Sequence, residues 1–331
     1  MITINDINDR LAGALELWRS LLGPQRVLTD AEADGYAVNC IGIRRSIPAV
    51  LLPASRDEVV KVLAVAREWQ IPVYPVSTGR NWGYGTNCPV RDGNVVVDLS
   101  AMNRIVDFDE ESGLLTVEPG VTQRQLANFF HGKDHPYLIP VTGAGPDCSL
   151  LGNALERGYG ITPYADHFGA VTSLEAVLPN GEIYRPVLDR LGGQAVDRAF
   201  KWGLGPYVDG LFTQGNFGIV TQMTIALAPM PERVEAFFFS VKNPDSLAEA
   251  VARVRLALRE VGGVSGSINL MNRHRMLAMM EPYPHDHLDD SGLITEEWLA
   301  AAARRNMVTA WTGVGALYGN RKVVAAARSV V

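Results

Sequence analysis

One stretch, Pro75-Val-Ser-Thr-Gly-Arg-Asn-Trp-Gly-Tyr-Gly85, constrains this chain more than any other. It follows Ile71–Pro75, a short apolar run that reads as a buried strand. Glycines at 79, 83 and 85 let the backbone turn sharply and come close to a ligand. Successive N–H groups in such a turn can converge on an anion. Ser77, Thr78 and Asn81 add short polar donors, and Arg80 adds a permanent positive charge. A pyrophosphate suits that set; a Gly-rich surface turn between two strands is the alternative. A P-loop needs a Lys that this stretch lacks. A dinucleotide fingerprint needs G-x-G-x-x-G opening a helix. Here the loop leads through residues 87–93 to Asn94-Val-Val-Val-Asp98, a strand. A dinucleotide gripped by this loop is gripped between strands, outside the doubly wound arrangement.

The chain of 331 residues is long enough for two domains with a core in each. A net charge of -6 argues against nucleic acid as the main partner, which favours a basic surface. No apolar run approaches the length of a membrane span, and Met1–Asp6 carries neither a basic n-region nor an apolar h-region. Cys40, Cys88 and Cys148 are scattered, with neither a metal spacing nor a disulfide framework. The setting expected is a reducing cytoplasm, with no membrane and no metal. His285-Asp-His287 lies among Pro282, Pro284 and Asp289-Asp290, which reads as a solvated loop rather than a metal site. His131 and His135 fall in a polar turn. His167 beside Asp166 is read as structural or at the edge of a ligand, because adjacent residues rarely face one another productively.

Taken in order, residues 8–22 carry Leu11, Leu15, Leu17, Trp18, Leu21 and Leu22 at helical spacing, ended by Gly23-Pro24. Ala49–Pro53 reads as a strand. Ser55-Arg-Asp-Glu58 is a capping box for a helix to about Gln70. With the strand at 71–75 this is a βαβ unit, which implies a parallel pair. Asn94–Asp98 and Gly113–Val117 are strands. Thr122–Gln125 is a second capping box, Ser173–Leu178 and Ile183–Arg185 form a hairpin across Pro179–Glu182, and Ile219–Leu227 is a strand. Pro229-Met-Pro231 marks a boundary. Ala236–Val241 is then a strand, and Ser246–Glu249 a third capping box opening a helix to about Glu260. Helices and strands mix without strict alternation, so the class is α+β. The last helix, Arg321–Val331, has no Gly or Asn stop, and the chain is expected to be part of a longer protein.

A second glycine-rich region runs from Pro140 to His167. Five glycines (Gly143, Gly145, Gly152, Gly158, Gly160) in so short a span cost folding entropy unless something approaches the backbone. A loop joining two sheets is the plain reading; close contact with a flat ligand is preferred. Gly210–Gly218 repeats the theme.

Several stretches together resemble the vanillyl-alcohol oxidase and 4-cresol dehydrogenase family of FAD-dependent enzymes. They are Ser77–Gly85, Val117–Thr122, Leu151–Gly158, Thr162–Tyr164 with Asp166-His167, Gly205–Phe212, Gly218–Thr221 and Gly315–Gly319. Each motif is weak alone; their common order over nearly the whole chain is specific. The resemblance implies a two-subdomain FAD-binding domain at residues 1–228 and an incomplete α+β cap, or substrate, domain at 229–331. Family members are longer, finishing the cap and returning to the flavin domain.

The resemblance also implies roles. Ser77, Thr78, Gly79, Arg80 and Asn81, with Gly83, would hold the FAD pyrophosphate. Thr142, Gly143, Cys148, Ser149, Leu151, Gly152, Asn153, Glu156, Gly158, Tyr159 and Ile161 would line the flavin, ribityl or adenosine parts. Gly218, Ile219 and Val220 would close the adenine side. Tyr84 stands where the family has a tyrosine touching a phenolate oxygen; a packed loop aromatic is the other reading. In the family, hydride leaves the benzylic carbon of a para-substituted phenol for flavin N5, and the protein supplies orientation and electrostatics. Oxygen or a cytochrome takes the electrons, and a homo-oligomer is left open. Departures count: Gly143 stands where vanillyl-alcohol oxidase has an acid/base aspartate, Asp147 does not align with it, and no His lies near Ala37, where the family has one that assists covalent flavin attachment. A hydroxy-acid dehydrogenase of the same flavin fold, and a non-catalytic flavoprotein, are the competing readings; the chain shows no clear Arg or Lys pair to clamp an acid.

Overall fold

The computed structural model describes residues 4–80, 87–134 and 136–331. They form two compact units, Met1–Tyr159 with Asp166–Met230, and Gly160–Ala165 with Pro231–Val331.

The first unit opens with α1 (Ile4–Leu22), β1 (Val27–Leu28), β2 (Val50–Leu51), α2 (Arg56–Glu68), β3 (Val73–Val76) and β4 (Val95–Asp98). The four strands make one sheet in the order β1-β2-β4-β3. The expected direct pairing of β2 with β3 does not form. Both run parallel to β4, which lies between them with Val96 opposite Val50 on one side and Tyr74 on the other. Every residue of β4 is buried, so its unbroken apolar run needs a neighbour on each edge. Ser55 caps α2, its hydroxyl accepting from Glu58 N–H at 3.2 Å. The Glu58 carboxylate closes the turn one residue earlier than a standard box, on Ala54 N–H at 2.7 Å, and receives both arms of Arg26 at 2.6 and 2.8 Å. α1 and α2 pack on this sheet through Trp18, Leu22, Val59 and Val62, in one core with Val177 and Ile219 from the next sheet.

β5 (Ile105–Asp109), β6 (Leu114–Val117), α3 (Gln123–Phe130), β7 (Tyr137–Leu138), α4 (Leu150–Leu155), β8 (Val171–Val177) and β9 (Ile183–Tyr184) follow. After them come two short helices, α5 (Val187–Arg190) and α6 (Gln194–Ala199), then β10 (Ile219–Ala226) and β11 (Ala228–Pro229). Five strands form a sheet ordered β5-β6-β10-β8-β9, and β7 pairs with β11. The β8–β9 hairpin turns at Asn180-Gly181, where Gly181 has φ +89°. One face of this sheet is apolar: Leu115, Val117, Leu174, Met223 and Ile225 share a core with Leu126 and Phe130 of α3 and Leu151 of α4.

The second unit holds β12 (Arg233–Val241), α7 (Leu247–Glu260), β13 (Ser265–Asn272), α8 (Arg273–Met280), α9 (Glu296–Arg305), β14 (Trp311–Gly319) and α10 (Arg321–Val330). Its antiparallel sheet runs β12-β14-β13. Phe237 and Phe239 lie opposite Gly315 and Gly313, where a Cβ would strike the facing rings at 2.4 and 2.0 Å. Val261, Leu317, Val324 and Ala327 form the core beneath α7 and α10. The third capping box does not form: Ser246 makes no side-chain cap bond. Asn243 instead accepts from Asp245 N–H at 3.0 Å and opens a 3-10 turn, Pro244–Ser246, that runs directly into α7. Glu249 pairs with Arg253 at 3.0 Å. Residues 160–165 are tied to the sheet of this unit: Tyr318 O–H donates to Ile161 C=O at 2.8 Å, and Gly266 leaves room for Thr162 C=O. Mixed helices and antiparallel strands around separate cores make the fold α+β. Among the described residues no helix is long and apolar enough to cross a membrane.

Candidate cofactor site

The site grows from the end of β3. Residues 77–80 leave the sheet as a loop in which Gly79 has φ +62°. Among the described residues, the N–H groups of Ser77, Thr78, Gly79 and Arg80 donate to no protein acceptor. A run of four such donors beside an exposed Arg is an anion cradle in waiting. Asn81, Gly83 and Tyr84 lie outside the described residues.

The second loop meets the first. Thr78 Oγ1 donates to Asp147 C=O at 3.0 Å. A Cβ on Gly152 would come within 2.8 Å of Ser77 Oγ and 3.0 Å of its Cβ, so the two loops approach as closely as a glycine permits. Ser149 caps α4: its hydroxyl accepts from Gly152 N–H at 2.9 Å and donates to Pro119 C=O. Cys148 is buried, and burial pushes its thiol pKa up. Leu151 commits its side chain to the core.

Thr142 and Gly143 belong to a turn pinned by Gln123, the first residue of α3. The buried Gln123 amide accepts from Thr142 N–H at 3.0 Å and donates to Gly145 C=O at 2.9 Å. Gly143 itself is exposed. The nearest carboxylate in sequence, Asp147, receives Arg124 Nε at 2.8 Å and Nη2 at 3.4 Å. That bond, then the Arg124 and Arg80 charges, holds its pKa below the usual range.

The end of α4 carries the cradle onward. The Asn153 amide meets His167 Nδ1, and a Cβ on Gly158 would collide with that amide. His167 is buried, and loss of water pushes its pKa down. Glu156 and Tyr159 are exposed. Gln214 N–H donates to Leu155 C=O at 3.1 Å, and Arg157 reaches Thr213 Oγ1 at 3.0 and 3.1 Å. The 209–218 loop is thereby joined to the same turn. Gly218 is glycine for a different reason, since Val177 C=O and the Phe212 ring occupy the space of a Cβ. Ile219 and Val220 point into opposite cores and pair with β8. Ile161 belongs to the second unit.

Three positions escape sequence reasoning. Gln123 and Arg124 act as braces, and a helix start shows no sign of that. Tyr36 donates to Asp98 at the end of β4, and Arg80 lies near enough for its charge to act on Tyr36. Desolvation first, then the Asp98 bond, pushes the Tyr36 pKa far up. An aspartate closing a Val-Val-Val run was the available signal.

Loops 77–80, 142–153 and 153–158 thus stand in one connected series, with 213–214 attached. Free amide donors and Arg80 at one end suit a pyrophosphate, and glycines spaced along the rest suit a long cofactor lying against backbone. The residues present fit FAD.

Comparison with known proteins agrees. Residues 47–185 match the FAD binding domain family. The chain is 39% identical over 323 residues to 1'-carboxy-chondrochloren decarboxylase of Chondromyces crocatus, covering 97% of this chain and 60% of that protein. It is 29% identical over 315 residues to the flavoprotein subunit of 4-cresol dehydrogenase [hydroxylating] from Pseudomonas putida, covering 94% of this chain and 60% of the relative. It superposes on the crystal structure of p-cresol methylhydroxylase with substrate bound at a TM-score of 0.88 and 28% identity, covering 99% of this chain and 64% of the other. The chain therefore spans about 60% of the length of these curated relatives. With the fold and the loop series in agreement, residues 47–185 are an FAD binding domain, and the chain is similar over nearly its whole length to flavoproteins of the p-cresol methylhydroxylase type.

Proposed function

We propose that this chain, loaded with FAD, serves an oxidase or dehydrogenase that draws hydride from the benzylic carbon of a para-substituted phenol or related aromatic alcohol. One observation carries the reading: the loop series that fits FAD sits in a chain matching substrate-bound p-cresol methylhydroxylase over 99% of its length. FAD when bound supplies the hydride acceptor at N5. The chain supplies the rest. The amides of 77–80 and Arg80 hold the pyrophosphate, the Gly152–Ser77 contact sets the loop spacing, and Gln123 fixes the turn at 142–145. Tyr84 keeps its expected role at the phenolate oxygen as part of this proposal.

A second reading has its own support. Gly143 offers no acid/base group, and Asp147 is neutralised by Arg124 and is a poor base. Hydride loss followed by water attack calls for such a base. Loss of a carboxylate from the benzylic carbon needs no base for its own bond-breaking step: the C–C bond breaks, CO2 leaves, and the electron pair of that bond would pass through the phenolate ring to FAD, which would take its proton from solvent, leaving a quinone methide. The relative at 39% identity is named a decarboxylase.

The two readings separate in one anaerobic experiment on FAD-loaded protein. Flavin bleaching by a 4-alkylphenol without CO2 supports hydride abstraction. Bleaching only by a phenol with a benzylic carboxylate, with one CO2 per flavin, supports decarboxylation. No bleaching by either class overturns both. Readmitting air then identifies the acceptor, since rapid reoxidation points to oxygen and slow reoxidation to a cytochrome or other carrier. FAD titration tests the cradle separately: Arg80→Ala should weaken binding about tenfold, the size of one charge-assisted contact.

A further inference from the structure

The cradle at 77–80 has a back wall that its own residues do not provide. β3 and β4 end side by side, Val76 opposite Asp98, and Leu99 N–H donates to Val76 C=O at 2.8 Å. The loop leaves the sheet at that point, so Asp98 lies at its root. Asp98 is only 4% exposed. A carboxylate there repels the phosphates the loop is shaped to hold, unless donors take up its charge. Both oxygens are so engaged: Oδ1 accepts from Ser100 N–H at 2.8 Å, and Oδ2 from the Tyr36 hydroxyl.

Tyr36 closes a 3-10 turn, Asp34–Tyr36, that is fastened to the same loop. Its ring packs on the small core of Ala33, Val50, Val76 and Val96. The Asn87 amide donates to Gly35 C=O at 3.1 Å, and a Cβ on Gly79 would come within 2.7 Å of Asn87 Cβ. The turn therefore meets the loop twice, through Asn87 at Gly79 and through Asp98 at the strand end. Arg80 comes next, exposed, and its charge reaches Tyr36. Burial first, then the Asp98 bond, keeps the phenol protonated. With the proton committed to Asp98, the phenol oxygen has lone pairs left, and the cation beside it is Arg80. An exposed Arg spreads over many rotamers, and a fixed acceptor beside it removes that freedom before the ligand arrives.

We infer that Tyr36 is a positioning residue for the FAD pyrophosphate: held by Asp98, its hydroxyl oxygen steers the Arg80 guanidinium onto the phosphates. The inference rests on Arg80 contacting the pyrophosphate, as proposed above, and is independent of which substrate the flavin oxidises. A Tyr36 that only ties the turn to the sheet would act without Arg80.

The test is a double-mutant cycle on the full chain, read as the dissociation constant for FAD by quenching of flavin fluorescence. Tyr36→Phe should raise that constant about threefold, part of the tenfold loss expected for Arg80→Ala, and the double variant should bind no worse than Arg80→Ala alone. Adenosine diphosphate, which carries the pyrophosphate without the flavin, should lose the same factors when it competes with FAD. A loss of fold stability common to both backgrounds cancels in the cycle. A threefold loss on Tyr36→Phe that persists in the Arg80→Ala background overturns the inference, because a purely structural tie acts in both. So does a Tyr36→Phe variant that binds FAD as tightly as the unsubstituted chain while Arg80→Ala does not; Arg80 then keeps its place at the pyrophosphate and Tyr36 loses its role. Unchanged affinity in Arg80→Ala overturns both together.

Discussion

The two faces of the five-stranded sheet are held by different physics. On one, α3 and α4 bury apolar side chains against Leu115, Val117, Leu174 and Met223. On the other, α5 and α6 meet Thr116, Ser173, Glu175 and Thr224 with charged and polar side chains. Glu175 is the centre of that second face: buried, it takes Arg185 at 2.7 and 2.9 Å, Arg56 at 3.3 Å and the Thr221 hydroxyl at 2.8 Å. Arg56 begins α2, so the same carboxylate ties the first sheet's helix layer to the second sheet. The apolar face relies on non-directional burial, whereas the polar face relies on a few directed bonds whose strength depends on protonation. A single truncation should therefore hurt the first most, and pH should act on the buried carboxyls of Asp197 at the second face and of Asp209 beside Tyr184 at the β9 edge.

The largest effect belongs to the apolar face. Phe130 packs edge-on against Phe108 and Phe129, with ring centroids 5.1 and 5.2 Å away. Phe130→Ala should cost about 3–5 kcal/mol in denaturant unfolding, through lost transfer energy plus the cavity left behind. A loss under about 1 kcal/mol would mean the core refills and the contrast is overdrawn.

Next comes pH. Asp209 is buried, and burial pushes its carboxyl up to about 6 despite the bond from Tyr184 O–H at 2.5 Å; the Asp197 charge adds to the rise. Asp197 is itself raised by burial. For a carboxyl whose folded pKa exceeds its unfolded one, the folded state holds the extra proton. The stabilisation is complete below about pH 4 and is lost as pH climbs toward 6. A shift of this size makes unfolding easier by about 2–3 kcal/mol across that window. Asp209→Asn keeps an acceptor for Tyr184 and should flatten the slope between pH 4 and 6.5 relative to the unsubstituted chain. An unchanged slope would place the titration elsewhere.

Glu175→Ala should cost about 2 kcal/mol. Breaking a fully buried pair costs more, but Arg56 and Arg185 keep 37% and 39% of their side-chain surface in water and can be rehydrated. A double-mutant cycle with Arg56→Ala sharpens the point, because coupling near zero would show that the link between the two sheets is carried by packing alone.

These contrasts also mark what could be read from residues alone. Helix starts at Ser55 and Thr122 were legible, because a cap is a local bond between a hydroxyl and an N–H three residues on. So was the Asn180-Gly181 hairpin, since φ +89° is a local demand on glycine. The turns at 77–80 and within 140–167 were legible through their glycines, Gly79 at φ +62° and Gly152 packed against Ser77. The insertion of β4 between β2 and β3 was not, because strand order is decided by long-range burial. Ser246 failed as a cap because Asn243, three residues earlier, already started the turn. Gln123 as a brace depended on a turn 20 residues away. The inward turn of Asp189 and Asp197 in α5 and α6 escaped because periodicity arguments place apolar residues inward, and these helices cover a sheet face whose polarity the helices themselves do not reveal.

The smallest expected change is the sharpest discriminator. Leu191→Asp puts a charge just past the end of α5, at an exposed side chain outside both the core and the polar pocket at the second sheet face. Its unfolding free energy should match that of the unsubstituted chain within about 0.5 kcal/mol, as for surface positions generally. If Leu191→Asp instead destabilises the chain by about 2 kcal/mol or more, the side chain packs in the core more than its exposure indicates. The polar face would then need an apolar support after all, and the division between the two sides of the sheet would fail.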